Sequence, residues 1–345
     1  MYIDFLKVFK SIDIDNDFFF QIKLIIMSII LVITKTRYNI QNGDVEEKDY
    51  DKDNLYSLLY NIYDKVGIIE NERKQKYQFT FNTWGFFHQD SIIERYDPQI
   101  FGKTAYSIHF TRNDCVRDKI LEMKKNRITP KIIELGCGTG AGAYLIVNDV
   151  FHKYYKMDCE YIAIDMQAKA INTAKKIHKH PNITFIHNNI TKFTDDFGTY
   201  DFILINETHI FEMPDYLTNE DKIILDILTY LLKPGGYFLW GNAIPDPIWN
   251  LVINYLDKKN VNLVKKYDYT QNAIKARDLD KKRVDLYCDA VYNSVIAYKI
   301  PILGKNMRNK TEIMLKNFFR HPGTNLYNNM VSREDTYYHL VFQKI

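Results

Sequence analysis

The sequence predicts an α/β fold in which short β-branched strands alternate with apolar-faced helices to build a mostly parallel sheet. Three observations carry this. The run Lys131-Ile-Ile-Glu-Leu-Gly-Cys-Gly-Thr-Gly140 is a strand that turns through three alternating glycines into the apolar helix Ala141–Val147. A second strand, Tyr161–Asp165, ends in a carboxylate. Strand and helix patterns then keep alternating as far as Trp240, the order that parallel sheets require. The glycines lack a Cβ and accept left-handed dihedrals, so the backbone at the turn can approach a ligand closely. The turn lies at the carboxyl end of a strand, where open α/β sheets bind nucleotide-like molecules.

The elements follow in order. Gln167–His178 reads as a helix, and Ile183–His187 as a third strand leading into Asn188, Asn189 and Ile190. Tyr200–Ile205 is a fourth strand, ending at Asn206-Glu207-Thr208-His209. A helix through Ile223–Leu232 breaks at Lys233-Pro-Gly-Gly236, and the strand Tyr237–Trp240 follows. Ile244–Thr270 reads as an insertion on the substrate side, within a span of about 244–275. Asp278–Tyr298 has helical spacing, and a second insertion is expected at about 299–325.

Ahead of the glycine turn, Leu55–Val66 has helical spacing, and Arg73–His88 carries Tyr77, Phe79, Phe81, Trp84, Phe86 and Phe87. Such aromatic density suits either a core layer or a cover that excludes water from a bound nucleotide, and residues 55–128 are read as a lid. Gln41–Asn54, polar and rich in Asp, Glu and Lys, reads as a linker. Residues 1–40 hold the apolar run Phe18–Thr34, near the lower length limit for a membrane-spanning helix. A helix resting on the catalytic domain is the competing reading. The acids Asp13, Asp15 and Asp17 ahead of the run argue against a signal peptide.

At 345 residues and 46% apolar, the chain is globular, and its net charge of +3 gives no ground for a nucleic-acid partner. Cys115, Cys137, Cys159 and Cys288 have no metal-binding spacing and read as reduced thiols of a cytoplasmic protein. The histidines form no ligand triad, so no metal is expected.

Glu-Leu-Gly-Cys-Gly-Thr-Gly, the strand ends at Asp165 and Asp201, and Leu-Lys-Pro-Gly-Gly-Tyr-Phe together resemble the class I S-adenosylmethionine-dependent methyltransferases over residues 131–242. Asn82-Thr-Trp-Gly-Phe86, Tyr106, His109, Thr208-His209, Asn325-Leu-Tyr327 and the strand Thr336–Gln343 are similar to the branch of small-molecule and polyketide-lipid O-methyltransferases that includes phthiotriolone methyltransferases. The resemblance implies a Rossmann-like seven-stranded methyltransferase fold with an antiparallel C-terminal strand, served by Tyr337–Phe342, over residues 129–345. It implies S-adenosyl-L-methionine as cofactor, S-adenosyl-L-homocysteine as its product, and a small apolar methyl acceptor.

Gly136, Gly138 and Gly140 then pass beneath the cofactor's amino-acid part. Glu134 binds its ammonium through an intermediate residue or water, or else pins the glycine turn. Asp165 accepts both ribose hydroxyls or caps the next helix. Met166 lies on an adenine face. Asn189 and Ile190 take the place where the family has an acid and an apolar residue, and the Asn189 side-chain oxygen can accept the adenine amino group's bond. Asn206 lies near the methionine moiety, and Tyr106 and His109 close over the sulfonium. His209 is the expected base for a hydroxyl acceptor, since imidazole titrates near neutral pH, with Glu207 to orient it or contact substrate. Carbon methylation, with Glu207 near a developing cation, and a non-catalytic cofactor-binding scaffold are the alternatives. A nicotinamide dehydrogenase shares only the glycine turn.

Overall fold

The structure, a computed structural model, describes residues 66, 68–81, 83–192, 197–208, 216–294 and 312–345. The apolar run 18–34, the linker 41–54, the helical spacing over 55–65 and His209 lie outside the described residues. A short hairpin, β1 (Ile68–Glu70) with β2 (Lys76–Gln78), comes first. Helices α1 (Ile100–Thr111) and α2 (Asp114–Lys125) follow.

Then β3 (Lys131–Leu135), α3 (Ala141–Leu145, prolonged by a π-helical stretch Ile146–Tyr155), β4 (Glu160–Asp165), α4 (Ala168–Ile177), β5 (Ile183–His187) and β6 (Tyr200–Asn206) alternate. After them come α5 (Asn219–Leu231), β7 (Leu232–Ile244), α6 (Asp246–Asp257), β8 (Val261–Asp268), α7 (Thr270–Ser294), α8 (Asn325–Ser332) and β9 (Thr336–Lys344).

Seven strands form one sheet in the order β5-β4-β3-β6-β7-β9-β8. Pairing is parallel from β5 to β7, while β9 runs antiparallel to both its neighbours. The antiparallel C-terminal strand is therefore present, inserted between β7 and β8. Central strands are covered on both faces and so read as continuous apolar runs rather than alternating ones; every residue of β6 is buried. On one face, Tyr106 and Phe110 of α1, Val116 and Ile120 of α2, and Leu145 pack against Phe202, Leu204 and Leu239. On the other, Leu225 and Leu228 of α5 and Trp249 and Val252 of α6 pack against Ile203, Ile205 and Phe238.

Two expectations need correction. Residues 246–268, read as part of a substrate-side insertion, instead form α6 and the edge strand β8 of the sheet itself. Only Val261 of β8 is fully buried, and Lys265 and Lys266 are exposed. Exposed lysines are how edge strands resist pairing with other chains, and they hide the strand's alternation. Lys233-Pro-Gly-Gly236, read as a break before β7, lies inside the strand as a bulge. Leu232 pairs with Tyr200 and the ladder resumes at Tyr237 with Phe202. Gly235, at φ +70°, takes the left-handed turn the bulge needs.

The aromatic segment before α1 is divided among several packing layers. Phe79 joins Tyr287 of α7 and Phe319, Phe81 lies edge to face with Tyr106, Trp84 packs with Tyr337 of β9, and Phe86 packs on α1. Gly142 of α3 is a point of close approach. A Cβ there would fall inside the Tyr106 ring, which is itself packed against Phe81. Gly142→Ala is therefore expected to lose about 1–3 kcal/mol, the usual range for overpacking a buried contact. A shift of the urea midpoint checks it, and an unmoved midpoint would show that α1 yields freely.

Candidate active site

The carboxyl ends of β3, β4 and β6 meet at the glycine turn. Gly136, Gly138 and Gly140 have φ of +82°, +54° and +76°, the region that favours glycine. The Gly138 N–H donates to Asp165 Oδ2 and the Gln167 N–H to Asp165 Oδ1, each at 2.8 Å. One carboxylate thus ties the turn to the start of α4, and it is Asp165 rather than Glu134 that pins the glycines. Burial pushes the Asp165 carboxyl up, while these two N–H groups and His187 oppose the rise. The Thr208 hydroxyl donates to the Leu135 carbonyl at 3.2 Å and fills the space a Cβ on Gly136 would need.

Glu134 is fully buried at the end of β3. Its Oε2 accepts the Tyr161 hydroxyl at 3.0 Å, and its Oε1 has no partner. Burial raises its pKa to about 7 against the Tyr161 and Tyr106 hydroxyls, which pull it down. The Tyr106 hydroxyl, carried by α1, faces both Glu134 and Asn206, and burial together with Glu134 drives its own pKa well up. Asn206 Oδ1 lies 2.9 Å from His109 Nε2, and Asn206 Nδ2 is unpartnered. Tyr106, His109, Glu134, Gly136 and Asn206 therefore gather at one place.

Glu207 has a left-handed φ of +54° and a side chain only 4% exposed, a conformation costly for a non-glycine residue that persists only where the surroundings hold it. Its Oε2 accepts the Trp84 backbone N–H at 2.7 Å and its Oε1 the Tyr337 hydroxyl at 3.0 Å, with the Arg320 guanidinium 3.8 Å from Oε2. Burial raises its pKa, while Arg320, the Trp84 N–H and Tyr337 lower it. This carboxylate joins the aromatic segment, the last strand and residues 312–323.

The adenine end is more open. Met166 is 51% exposed, and its carbonyl lies 3.0 Å from His187 Nε2. The Asn189 side-chain oxygen accepts both the N–H and the hydroxyl of Thr191 at 2.9 Å, so the atom expected to face the adenine amino group is engaged locally. Ile190 opens the short helix that follows and packs against the core on the α5 side. Among the described residues, no group of three His, Cys, Asp or Glu side chains could hold a metal ion, and no helix is long and apolar enough to cross a membrane.

Sequence reading missed Tyr161, Thr208, Tyr337, Arg320 and His339 as members of this neighbourhood. Only Thr208 carried a local signal, through its place after β6.

The site fits S-adenosylmethionine. The turn is left-handed at Gly136, Gly138 and Gly140, with Thr208 packed on Gly136 and Phe185 on Gly140; beside it Glu134 Oε1 suits an ammonium and Asn206 Nδ2 a carboxylate. A parallel sheet ending in one reversed strand, with glycines after one strand and an acid closing the next, is the class I S-adenosylmethionine-dependent methyltransferase arrangement. Residues 129–286 of this chain match a family model described as a methyltransferase domain.

Among curated proteins, the chain is similar to a fatty-acid O-methyltransferase from Mycolicibacterium smegmatis, with 23% identity over 33% of this chain and 38% of that one. It is also similar to a phthiotriol/phenolphthiotriol dimycocerosates methyltransferase from Mycobacterium tuberculosis, with 22% identity over 43% and 54%. The chain thus spans about half or less of the length of these relatives. Among solved structures, the mycolic acid cyclopropane synthase CmaA1 shares the fold, with a TM-score of 0.51, 10% identity, and coverage of 83% of this chain and 99% of that one. The [4+2]-cyclase SpnF does so with a TM-score of 0.50, 12% identity, and coverage of 85% and 93%.

Proposed function

We propose that the protein transfers a methyl group from S-adenosylmethionine to a hydroxyl of a small apolar molecule of the lipid, polyketide or isoprenoid class. The observation that carries this reading is the gathering of two buried polar groups, Glu134 and Asn206, faced by the Tyr106 hydroxyl, beside a turn of left-handed glycines. Phe81, packed on Tyr106, and Trp84 and Tyr337, bonded to Glu207, put aromatic side chains beside the site, which suits an apolar acceptor. The two curated relatives, a fatty-acid O-methyltransferase and a phthiotriol/phenolphthiotriol dimycocerosates methyltransferase, support a lipid-like acceptor.

S-adenosylmethionine, when bound, supplies a sulfonium methyl: the acceptor oxygen takes the methyl, the carbon–sulfur electron pair stays on sulfur, and a hydroxyl acceptor releases one proton. The protein's part is placement and water exclusion, which supply much of the rate in such a displacement. Gly136, Gly138 and Gly140 lie beneath the amino-acid part, Glu134 holds its ammonium, Asn206 its carboxylate, and Asp165 the ribose hydroxyls. Met166 and Ile190 flank the base, and Asn189 reaches it once its oxygen leaves Thr191. Tyr106 covers the site from α1. Glu207, with both oxygens engaged by Trp84 and Tyr337, acts as a positioning residue rather than as the carboxylate that a carbon-methylating reaction would place against a cation. His209, the base expected from sequence, follows Thr208 directly.

Calorimetric titration with S-adenosylhomocysteine tests the reading, with Asp165→Ala alongside. Each charge-assisted hydrogen bond lost costs about 1.5–3 kcal/mol, so the variant is expected to bind at least about 100-fold more weakly. Folded wild-type protein that binds neither S-adenosylmethionine nor its product would leave a scaffold role instead.

A further inference from the structure

The cluster of unpartnered atoms extends beyond Glu134 and Asn206 into a pair of histidines. His339 is 1% exposed and neither of its ring nitrogens is hydrogen-bonded, and His109 Nδ1 is likewise without a partner. Strand register explains how they meet. Asn206 of β6 pairs with Gly241 of β7, and Gly241 with His339 of β9, so the three stand in one row across adjacent strands. Gly241 contributes no side chain, and His109 of α1 fills the gap. A Cβ on Gly241 would lie 3.1 Å from His109 Cε1 and 3.2 Å from Nε2. The two imidazoles meet edge to face with centroids 4.1 Å apart.

The proton on His109 can be placed. Asn206 Oδ1, 2.9 Å from Nε2, is an amide oxygen and can only accept. Nε2 therefore carries the hydrogen, and Nδ1 carries a free lone pair. Burial holds the ring's pKa at about 4, opposed by Asn206, so the ring stays neutral and the lone pair stays available at physiological pH. Buried polar atoms are nearly always satisfied, and three imidazole nitrogens left without partners point to a polar group that arrives with a ligand. Aromatic rings surround the pair: Tyr267 and Tyr269 each lie 6.2 Å from the His339 ring, and Phe86 lies 4.4 Å from Tyr269.

We propose that His109 accepts the proton of the methyl acceptor at Nδ1, with His339 as the second polar group contacting that acceptor, and that the acceptor is therefore an apolar alcohol or phenol rather than a carboxylate. The inference rests on the methyl-transfer reading. As the oxygen–carbon bond forms and the carbon–sulfur pair stays on sulfur, the hydroxyl proton passes to Nδ1, and the resulting imidazolium returns it to water. A carboxylate acceptor, already ionised at neutral pH, would need no such group.

The test uses the full chain with ¹⁵N-labelled histidine, saturated with S-adenosylhomocysteine and titrated with octylphenol, dodecanol and dodecanoate. His109 is expected in the Nε2–H form, with its Nδ1 signal moved by octylphenol or dodecanol and not by dodecanoate. With S-adenosylmethionine, His109→Gln is expected to lower turnover of the hydroxyl probe by about 10²-fold, the low end for a positioned base because a ring of pKa about 4 is a weak one, and by more than it weakens the hold on S-adenosylhomocysteine through Asn206. His209→Gln runs alongside as the rival base. An Nδ1–H tautomer, an Nδ1 signal that no hydroxyl probe moves, or a loss that falls on His209→Gln instead overturns the proposal while leaving the cofactor site intact. Wild-type protein that fails to bind S-adenosylhomocysteine overturns the methyl-transfer reading and this inference with it. Because the tautomer and the shift are read on the wild type, a poorly folding variant does not block the decision.

Discussion

Replacing Glu134 with glutamine is expected to stabilise the ligand-free protein above neutral pH while weakening its hold on S-adenosylhomocysteine. Glu134 is wholly buried, and its pKa rises from 4.5 to about 7. A folded-state pKa above the unfolded one means that the folded protein binds the proton more tightly. The stability this group contributes is complete below about pH 4.5 and is lost as pH rises through about 7. At pH 8 the carboxylate is charged in both states, and the interval between the two values corresponds to about 3 kcal/mol of lost stability. Glutamine does not titrate and can still accept the Tyr161 hydroxyl. Wild-type stability should therefore fall between pH 5 and pH 8 by about 2.5 kcal/mol more than that of Glu134→Gln, as read by chemical denaturation at both values. Parallel pH slopes would remove Glu134 as the cause. In the same site an ammonium favours the carboxylate form, so binding by the wild type near neutral pH should release a proton, and binding by the variant should be weaker and release none. Calorimetry in buffers of different ionisation enthalpy reads both.

Asp280→Ala is the substitution expected to cost the most stability. Asp280 of α7 is 5% exposed and accepts from Arg277 Nη2 at 2.9 Å and from Arg283 Nε at 2.9 Å. Both arginines are themselves buried, and burial lowers the Arg277 pKa to about 10 despite the opposing pull of Asp280. Removing one member of such a group leaves uncompensated charge in the interior and typically costs about 3–5 kcal/mol. The arginines also reach outward: Arg283 donates to the Phe81 carbonyl at 3.1 Å, and Arg277 to the Phe319 carbonyl at 3.3 Å. The loss should therefore loosen the aromatic segment and residues 312–323 together, with the indole of Trp84 becoming more solvent-exposed in fluorescence. Asp280→Asn, which keeps the shape and two acceptor lone pairs, should lose less. An unchanged denaturation midpoint in Asp280→Ala would show the arginines to be solvated after all.

The parts of the site legible in the sequence are those fixed within a few residues. The glycine turn announces itself because the chain must pass through three left-handed residues, and Asp165 because it ends an apolar strand. The reversed last strand was readable from Tyr337–Phe342, yet nothing local showed which of its residues would face α1. That depends on β9 pairing with β7 in a register that sets His339 beside Gly241. The partners of Glu207 come from three separate stretches, at Trp84, Arg320 and Tyr337, so its role was invisible until the chain folded. Asn189 is the opposite case. A side-chain amide that bonds the backbone two residues on is a common turn device, and Asn-Ile-Thr191 carried that signal.

The position of β9 also bears on how the protein comes to be folded. It lies inside the sheet, yet it is synthesised after every other strand described, and its contact with the end of β7 joins residues 92 apart in the chain. Until residues 336–344 emerge from the ribosome, β7 presents an open edge flanked by two apolar faces. An open apolar edge is a template for pairing with another nascent chain. Closing so distant a pairing is slow, because the entropy of the loop is lost before the contact forms. Yield in the cell should therefore be governed by the interval between completing β7 and docking β9, with slower translation or a holding chaperone deciding how much of the protein escapes aggregation.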